Sequence, residues 1–521
     1  MKKIFIFFLL LNNYSFSQTY TWATTDTTYQ GYHGVRAALA KDSSGNLYVA
    51  YSPKINAGYS SFIAIIKYDA GHNIVWTQKI AANGIAHLGV GLCTDASGNI
   101  YVTSKFTGNL FFNSTVCASI SGGNMFLIKL NTSGAFQWVQ HTTGGQAWGS
   151  VLSSDAQNNI YVAGNINGDV YFDSVFISTG VVYNYIAKYN SSGQFQWVKH
   201  PTGGSFAGFA NIGMATDYSG NTYLAGTFMS WANFDGISLL GGEDIYISKI
   251  DTDGNWVWAI NAGGSEQDAI YGRGLALDNN GGLYITGFIG SATATFGDIT
   301  LTNTGQDDYF LAKYDTAGTA LWAINGGGAG SQFGINVCAD SYGNSYINTN
   351  GKFLNKYDSN GNFIWSQAKP ASNIAMLSDN VGKIYITGHF NNTVNFDSFT
   401  FSPHTPYVQQ MFVAELNCTP EIATAINEPK HITDFTVFPN PASRIITINL
   451  STGKLKESYT LKVSDSLGKT VYSETLKEIS ASYTQQIDLS QLSKGIYFIE
   501  LQSASPEFPQ KQDWFKKIVL Q

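Results

Sequence analysis

Two carboxylates that meet in a cleft can act as acid and base on a glycosidic bond, and this sequence contains acids suited to that role. Asp42 recurs at the equivalent position of six other segments, so a structural turn explains it better than catalysis. The acids that do not recur are Glu243, Asp244, Glu266, Asp268, Asp307 and Asp308. No local motif joins them into a pair. We therefore predict no catalytic residue, with an exported glycosidase or lyase that uses these acids as the alternative.

The histidines show no spacing that would assemble a metal site. The segment from Asp251 to Asn255 is similar to the start of a calcium loop but lacks the closing Glu, which favours a solvated turn. His72 stands where a turn glycine is expected and predicts a shifted turn rather than a general base. The sequence lacks the His-Glu-x-x-His and Gly-x-Ser-x-Gly motifs, and no Gly-x-Gly-x-x-Gly element opens a helix. It therefore predicts neither a metal nor a cofactor.

The charge of the chain argues against a nucleic-acid partner. Residues 4–429 contain 16 Lys and Arg but 27 Asp and Glu, a net charge of −11, whereas residues 430–521 contain 11 and 9, a net charge of +2. Proteins that bind DNA or RNA neutralise phosphates with basic side chains. An acidic body with a slightly basic C-terminal segment does not have that character.

Large aromatic residues recur seven positions before the turn aspartates and could form a ligand platform. They are Trp148, Tyr271 and Phe333, and the neighbouring candidates are Phe209, His87 and Arg273. Aromatic faces stack on sugar rings or on peptide side chains. The alternative is that these residues plug a central channel and pack between repeats.

A turn signature, Asp-x-x-Gly-Asn-x-Tyr or a close variant, occurs seven times and positions these residues. The turn aspartates are Asp42, Asp95, Asp155, Asp217, Asp278, Asp340 and Asp379. An Asp at the start of a turn accepts hydrogen bonds from the backbone that follows, and Gly takes the left-handed conformation. Each copy therefore predicts a β-hairpin.

A second turn follows in six repeats, and a Trp stands seven residues after its start. These residues are Trp76, Trp138, Trp197, Trp258, Trp322 and Trp365. The seventh repeat lacks this hairpin half, whereas Trp22 near the N-terminus has no turn before it. A strand from the N-terminus that completes the last repeat would close a ring without exposed edges. The fold prediction is all-β, with a seven-bladed β-propeller over residues 18–418 closed by the N-terminal strand.

Five repeats also carry a Phe followed by Asn, Asp or Gly, an apolar anchor before a turn, at Phe112, Phe172, Phe234, Phe296 and Phe396. Together with the turn signature, these repeats resemble the bacterial SBBP β-propeller repeat family. That resemblance implies a propeller in an extracellular setting and carries no agreed activity.

The N-terminus predicts export. Lys2 and Lys3 precede the apolar stretch 4–11 and a polar stretch that ends at Ser17, the order of a secretory signal peptide. We expect residues 1–17 to be removed, and no later stretch is long and apolar enough to be a transmembrane segment.

The four cysteines show no paired spacing typical of a metal or redox site. Cys93 and Cys338 occupy a repeat position otherwise held mostly by small residues, which predicts that their side chains are buried.

A polar linker, residues 419–433, separates the repeats from a C-terminal segment of alternating apolar residues, 434–521, which predicts a small β-sandwich. Its blocks resemble the type A C-terminal sorting domain of the type IX secretion system of Bacteroidetes. The residues that carry the resemblance are Pro439, Asn440, Pro441, Gly468, Lys469, Gly495, Tyr497 and Lys517. The resemblance implies recognition by the outer-membrane translocon. A plain carbohydrate-binding or fibronectin-like sandwich is the alternative.

The functional prediction is a secreted or cell-surface binding protein, adhesion-like, that passes through the periplasm and engages glycan or protein with the loop face of its propeller. An exported carbohydrate-active enzyme and a structural surface component are the alternatives.

Overall fold

The computed structural model of the chain describes residues 18–25, 36–52, 60–85, 89–206, 212–328, 330–350, 353–369, 371–379, 382–403, 409–418, 432–439, 442, 444–452, 457–465, 469–479, 482–503 and 513–520. Across these residues the regular structure is all β, as predicted. The chain divides into two compact units, Met1–Pro420 and Glu421–Gln521. The predicted signal peptide and almost all of the predicted linker lie outside the described residues.

The strands of the first unit follow the seven turn repeats. The N-terminal strand is β1 (Thr19–Thr25). Repeat 1 contains β2 (Arg36–Lys41), β3 (Leu47–Ser52), β4 (Ser60–Tyr68) and β5 (Ile74–Ile85). Repeat 2 contains β6 (Gly91–Thr94), β7 (Ile100–Phe112), β8 (Thr115–Leu130) and β9 (Phe136–His141). Repeat 3 contains β10 (Thr143–Ser154), β11 (Ile160–Phe172), β12 (Val175–Tyr189) and β13 (Phe195–Lys199).

Repeat 4 is preceded by β14 (Thr202–Gly203) and contains β15 (Gly213–Thr216), β16 (Thr222–Phe234), β17 (Ile237–Ile250) and β18 (Trp256–Gly264). Repeat 5 contains β19 (Asp268–Leu277), β20 (Leu283–Ile289), the short pair β21 (Thr293–Phe296) and β22 (Ile299–Thr302), β23 (Asp308–Tyr314) and β24 (Ala320–Gly326). Repeat 6 contains β25 (Gly334–Ala339), β26 (Ser345–Thr349), β27 (Phe353–Tyr357) and β28 (Phe363–Ala368). Repeat 7 contains β29 (Ser372–Ser378), β30 (Lys383–Phe390), the pair β31 (Val394–Phe396) and β32 (Phe399–Phe401), and β33 (Gln410–Asn417).

The turn aspartates behave as the sequence predicted. In repeat 2 the Asp95 carboxylate accepts the backbone N–H groups of Ser97 at 3.0 Å and Asn99 at 2.9 Å. Its second oxygen accepts the hydroxyl of the buried Tyr101 at 2.9 Å, which explains why Tyr belongs to the signature. Asn158 takes the left-handed position in repeat 3, with φ of 63°. The signature therefore fixes each hairpin and anchors it to the core.

Successive strands within each repeat pair antiparallel, and several outer strands continue into the next repeat. Strand β5 pairs with β7, and β18 pairs with β21. The Phe anchors are buried, and each is followed by a residue with positive φ, as at Asn113 with 54° and Asp173 with 53°. This confirms the predicted anchor before a turn.

The repeat tryptophans join neighbouring repeats. Trp197 Nε1 donates to the carbonyl of Thr252 in the next repeat at 3.1 Å, and the indole covers the turn glycine Gly254. Lys188, at the end of the same sheet, donates to the same carbonyl at 2.8 Å. This Trp, Lys and turn arrangement provides a polar and an apolar contact at the same junction.

The N-terminal strand lies in the sheet of repeat 7. Strand β1 pairs antiparallel with β33, in the sheet order β1-β33-β30-β29. Its Trp22 contacts the second turn of repeat 1, where His72 has φ of 68° and its N–H donates to the Asp69 carbonyl as in the other second turns. The predicted turn shift at His72 is therefore wrong, because His72 itself adopts the left-handed conformation.

The second unit consists of two sheets around one core. It contains β34 (Ile432–Phe438), β35 (Ile445–Thr452), β36 (Glu457–Asp465), β37 (Thr470–Ile479), β38 (Ser482–Asp488), β39 (Gly495–Ser503) and β40 (Asp513–Leu520). One sheet has the order β34-β35-β38 and the other β37-β36-β39-β40. Apolar residues of both sheets, among them Ile448, Val463 and Ile499, form the shared core. This is the sandwich arrangement that the alternating pattern predicted.

Candidate functional site

The first strand of each of the seven repeats, termed its inner strand, contributes to the lining of one cavity of about 150 Å³. Its lining is mostly aliphatic, from Leu39, Leu92, Val151, Leu152, Met214, Leu275, Val337 and Met376, with Arg273 and Asn336 as the polar members. Arg273 Nη2 donates to the carbonyl of Val90 and, at 3.4 Å, to that of Ser150, which belong to repeats 2 and 3. The Arg273 side chain thus extends across the cavity to two other repeats.

Tyr271 and Phe333 form the exposed aromatic contact among the predicted site residues. Tyr271 is 43 % exposed, and its ring stacks on Phe333 with centroids 5.6 Å apart and 21° between the planes. Phe288 packs edge-on against Phe333 at 4.8 Å. Gly272 follows Tyr271 with φ of 66°, and a Cβ there would collide with the Ile335 carbonyl. The tight approach of the two inner strands brings these rings together.

On repeat 6, a polar side chain bonds to the backbone of Phe333, and a partly buried lysine bonds to β26. Asn350 Oδ1 accepts the Phe333 N–H at 2.8 Å. Lys369 Nζ donates to Asn348 Oδ1 and to the Thr349 carbonyl at 2.6 Å. Burial lowers the pKa of Lys369 to about 8. Sequence reasoning missed Asn350 and Lys369; the available signal was that Asn350 stands four residues after the signature Tyr.

The other predicted ligand residues lie elsewhere or outside the described residues. Trp148 is buried, and Lys105 Nζ lies 4.1 Å from the centre of its ring. Burial lowers the pKa of Lys105. The Trp148 ring is therefore covered rather than exposed as a platform. Phe209 and His87 lie outside the described residues. Among the described residues of the predicted set, Tyr271 and Phe333 form the aromatic cluster.

Among the acids that do not recur, Asp268 and Asp308 accept hydrogen bonds from neighbouring backbone and hydroxyl groups. Asp268 is buried and accepts the N–H of Gly264 at 2.6 Å and the hydroxyl of Ser291 at 2.7 Å. Asp308 accepts the N–H and the hydroxyl of Thr304, both at 3.0 Å. The remaining acids differ in exposure, with Glu266 exposed and Glu243 and Asp307 partly buried.

Asp244 and Asp268 meet beside Gly263. A Cβ on Gly263 would collide with Asp244 Oδ1 and lie 3.1 Å from Asp268 Oδ2. Burial and then the charge of Asp268 raise the pKa of Asp244 to about 6, against the hydrogen bonds of the Gly242 and Gly264 amides. Burial also raises the pKa of Asp268. In the described part of the chain, no group of three or more His, Cys, Asp or Glu side chains is arranged to hold a metal ion.

The predicted sorting residues that the structure describes lie in or beside strands of the second unit. Gly495 begins β39, Tyr497 is buried and donates to the Ser493 carbonyl at 2.9 Å, and Lys517 lies opposite Phe498 in the sheet. Lys469 donates its N–H to Asp465 Oδ1 at 3.0 Å. Pro439 follows β34. Asn440, Pro441 and Gly468 lie outside the described residues.

Residues 436–520 match the family described as secretion system C-terminal sorting domain. The C-terminal unit is such a sorting domain. It indicates export through the type IX secretion system to the cell surface or the medium. Among the described residues, the structure contains no helix long and apolar enough to cross a membrane.

Similarity over the repeats is distant. An uncharacterized WD repeat-containing protein of Acanthamoeba polyphaga mimivirus is 24 % identical over 440 residues, covering 64 % of this chain and 32 % of its own length. The chain thus spans about a third of that relative. BamB of Moraxella catarrhalis is 12 % identical with a TM-score of 0.33 and covers 76 % of this chain and 99 % of its own.

Two further solved structures have similarly low scores. The Neurospora crassa Pan2 WD40 domain is 9 % identical with a TM-score of 0.40 and covers 76 % of this chain and 95 % of its own. PorZ, a surface component of the type IX secretion system of Porphyromonas gingivalis, is 10 % identical with a TM-score of 0.20 and covers 92 % of this chain and 81 % of its own.

Proposed function

We propose that the chain is an exported, non-catalytic binding protein that engages glycan or protein through the Tyr271 and Phe333 cluster. Its body is a closed seven-bladed propeller of the SBBP repeat type. The shared cavity of seven inner strands, the pairing of β1 with β33 and the contact of Trp22 with His72 support closure. The half-exposed Tyr271, stacked on Phe333, is the observation that supports the binding site.

The cluster suits a ligand with an apolar face and hydrogen-bonding edges. A tyrosine ring held by a second ring offers a rigid surface and loses little conformational freedom on binding. Asn350, which accepts the Phe333 N–H, adds a polar group beside the cluster.

A glycan array probed with the full chain from residue 18 tests this proposal. We expect Tyr271→Ala to weaken the binding of any captured glycan by about tenfold or more, a typical loss for a stacked aromatic anchor. Tyr218→Ala is the matched control, because Tyr218 is a more exposed tyrosine in a first turn. Equal binding by both variants and the wild type would place the site elsewhere.

The alternative of a carbohydrate-active enzyme rests on Asp244 and Asp268. Their raised pKa values would suit a general acid, but both carboxyl groups are buried and accept hydrogen bonds from backbone amides. Release of product from a polysaccharide by the wild type, lost in Asp268→Asn or Glu266→Gln, would favour the enzyme over the binding protein.

A further inference from the structure

The outer hairpin of repeat 4 carries an exposed apolar pair where other repeats carry polar pairs. Trp231 lies opposite Leu240, and their side chains are 47 % and 77 % exposed. Trp231 stands three residues before the anchor Phe234. The pairs at the same position elsewhere are Asp169 with Ser178, hydrogen-bonded at 2.6 Å, Thr293 opposite Thr302, and Thr393 with Ser402, hydrogen-bonded at 2.9 Å. The hairpin therefore forms without apolar residues at this position.

Ser230, immediately before Trp231, has a backbone conformation that is unfavourable for a residue with a Cβ. Its φ is 69°, whereas glycine holds the equivalent position in repeats 2 and 3, with φ of 68° at Gly108 and 80° at Gly168. The register shifts at this point, between Met229 and Trp231. Repeat 4 thus keeps the bulge that precedes its exposed indole despite the loss of glycine.

Hydrogen-bonding groups border the apolar pair. Asn261 Nδ2 donates to the Leu240 carbonyl at 3.1 Å. Met229 lies opposite Glu243, whose carboxylate accepts Gln267 Nε2 at 2.7 Å. Lys199 contacts the hairpin tip, where its charge is paired with Asp235 at 2.7 Å. The border is therefore made of amides and carboxylates, with its nearby lysine neutralised.

We propose that Met229, Trp231 and Leu240, termed the Trp231 platform, bind a neutral glycan by stacking the indole on a sugar ring. The inference builds on the proposed binding function and names its ligand class at a second site. Indole faces stack well on sugar rings, and amide and carboxylate groups hydrogen-bond to sugar hydroxyls. The carboxylate of Glu243, opposite Met229, would repel an anionic sugar.

The size of the platform also favours a glycan over a protein. A stable protein interface covers about 800 Å² on each partner and is built around a large desolvated centre. Three apolar side chains with a polar border on the same hairpin offer much less than that, which matches one or two sugar rings.

The matched variant transfers the pair of repeat 5 to repeat 4, as Trp231→Thr with Leu240→Thr. Because the chain already holds Thr293 opposite Thr302 at that position, the hairpin should fold. Calorimetric titration of the full chain from residue 18 would use cellohexaose, laminarihexaose and mannohexaose, with trigalacturonate as the anionic probe. We expect at least one neutral oligosaccharide to bind the wild type, and the double variant to lose about tenfold or more in affinity with an unchanged thermal midpoint. If the double variant unfolds early, the single change Trp231→Thr repeats the test.

Three results would overturn the inference: no binding of the three neutral probes, unchanged affinity in the variant, or a preference for trigalacturonate. Tyr271→Ala separates this inference from the proposed function. Loss of binding in Tyr271→Ala with normal binding in the Trp231 variant contradicts the platform and supports the aromatic cluster. The reverse result contradicts the Tyr271 site and supports the platform.

Discussion

The indole of Trp22 stacks on the imidazole of His72, with ring centroids 4.3 Å apart and 11° between the planes. At the other junctions of this kind, a repeat tryptophan covers a turn glycine, as Trp197 covers Gly254. Here the turn residue is a histidine, and its Nε2 lies 3.1 Å from the buried Glu415. Glu415 lies opposite Trp22 in the sheet, as Lys188 lies opposite Trp197. At this junction a buried carboxylate therefore stands where Lys188 donates to a turn carbonyl.

We expect the lowered pKa of Glu415 to make the folded chain less stable in acid. Burial would raise its pKa, but hydrogen bonds from Thr21, Lys383 and Tyr385 and the charge of Lys383 lower it to about 2. A carboxyl group whose pKa is lower in the folded state stabilises the fold above its unfolded pKa and loses that contribution as pH falls from about 4.5 to 2. We expect Glu415→Gln to reduce the free energy of unfolding at pH 7 by about 1–3 kcal/mol and to flatten this acid limb. Urea unfolding between pH 3 and 7 measures both effects.

Glu266→Gln is the control, because Glu266 lies on the surface, and it should change neither the free energy of unfolding at pH 7 nor its dependence on pH. An unchanged loss of stability in acid for Glu415→Gln would contradict the assignment.

The left-handed backbone at His72 should make one substitution less destabilising than another. Both His72→Gly and His72→Ala remove the stacking on Trp22 and the contact with Glu415, but only glycine adopts φ of 68° without strain. We expect the glycine variant to be more stable than the alanine variant by about 1 kcal/mol, the cost of left-handed backbone for an L-residue. Denaturant midpoints at pH 7 provide the comparison. An alanine variant as stable as the glycine variant would show that the backbone at this turn relaxes.

The raised pKa of Asp244 should give a pH dependence of stability opposite in sign to that of Glu415. Its pKa is raised from 3.8 to about 6 by burial and by the neighbouring Asp268. The folded state then binds the extra proton between those values, so this group favours folding below about pH 4 and loses that contribution as pH rises to about 6. Asp244→Asn should therefore increase the free energy of unfolding at pH 7, by about 1–2 kcal/mol, with little change at pH 4.

Repeat 2 already has an asparagine at the equivalent position, Asn124, and its Oδ1 accepts the Thr142 hydroxyl at 3.1 Å. Equal effects of the substitution at pH 4 and pH 7 would refute a shifted carboxyl pKa.

Local turn chemistry made much of the fold predictable, because each signature contains both the acceptor and the residue that adopts positive φ. Asp95, its turn and Tyr101 are within seven residues of one another, so their hydrogen bonds follow from the sequence alone. The same locality explains the error at His72, where Gly71 beside it suggested a shifted turn. The stacking of His72 on Trp22 involves a strand some fifty residues earlier in the chain and has no local signature.

The candidate site was less predictable, because exposure depends on neighbours distant in sequence. Trp148 and Tyr271 share a repeat position, yet Lys105 covers the first, and the second stacks on Phe333 with nearly half its surface exposed. Which aromatic residue is buried depends on the side chain that the adjacent strand presents. Trp231 was not predicted for a related reason. It lies outside the repeat position that Trp148 and Tyr271 share, although its departure from the polar pairs of other repeats is visible in the sequence.

The sorting domain should determine in which cell compartment the chain accumulates. Residues 436–520 form an independent family domain with its own core, so deletion of residues 434–521 should leave the repeat unit folded. Without its sorting domain the chain should cross the inner membrane and accumulate in the periplasm, whereas the full chain reaches the surface or the medium. Cell fractionation with an antibody to the repeat unit measures this distribution. The matched control attaches residues 434–521 to an unrelated exported reporter, which should then leave the cell. Normal surface delivery of the truncated chain, or retention of the reporter fusion, would mean that the C-terminal unit does not direct export.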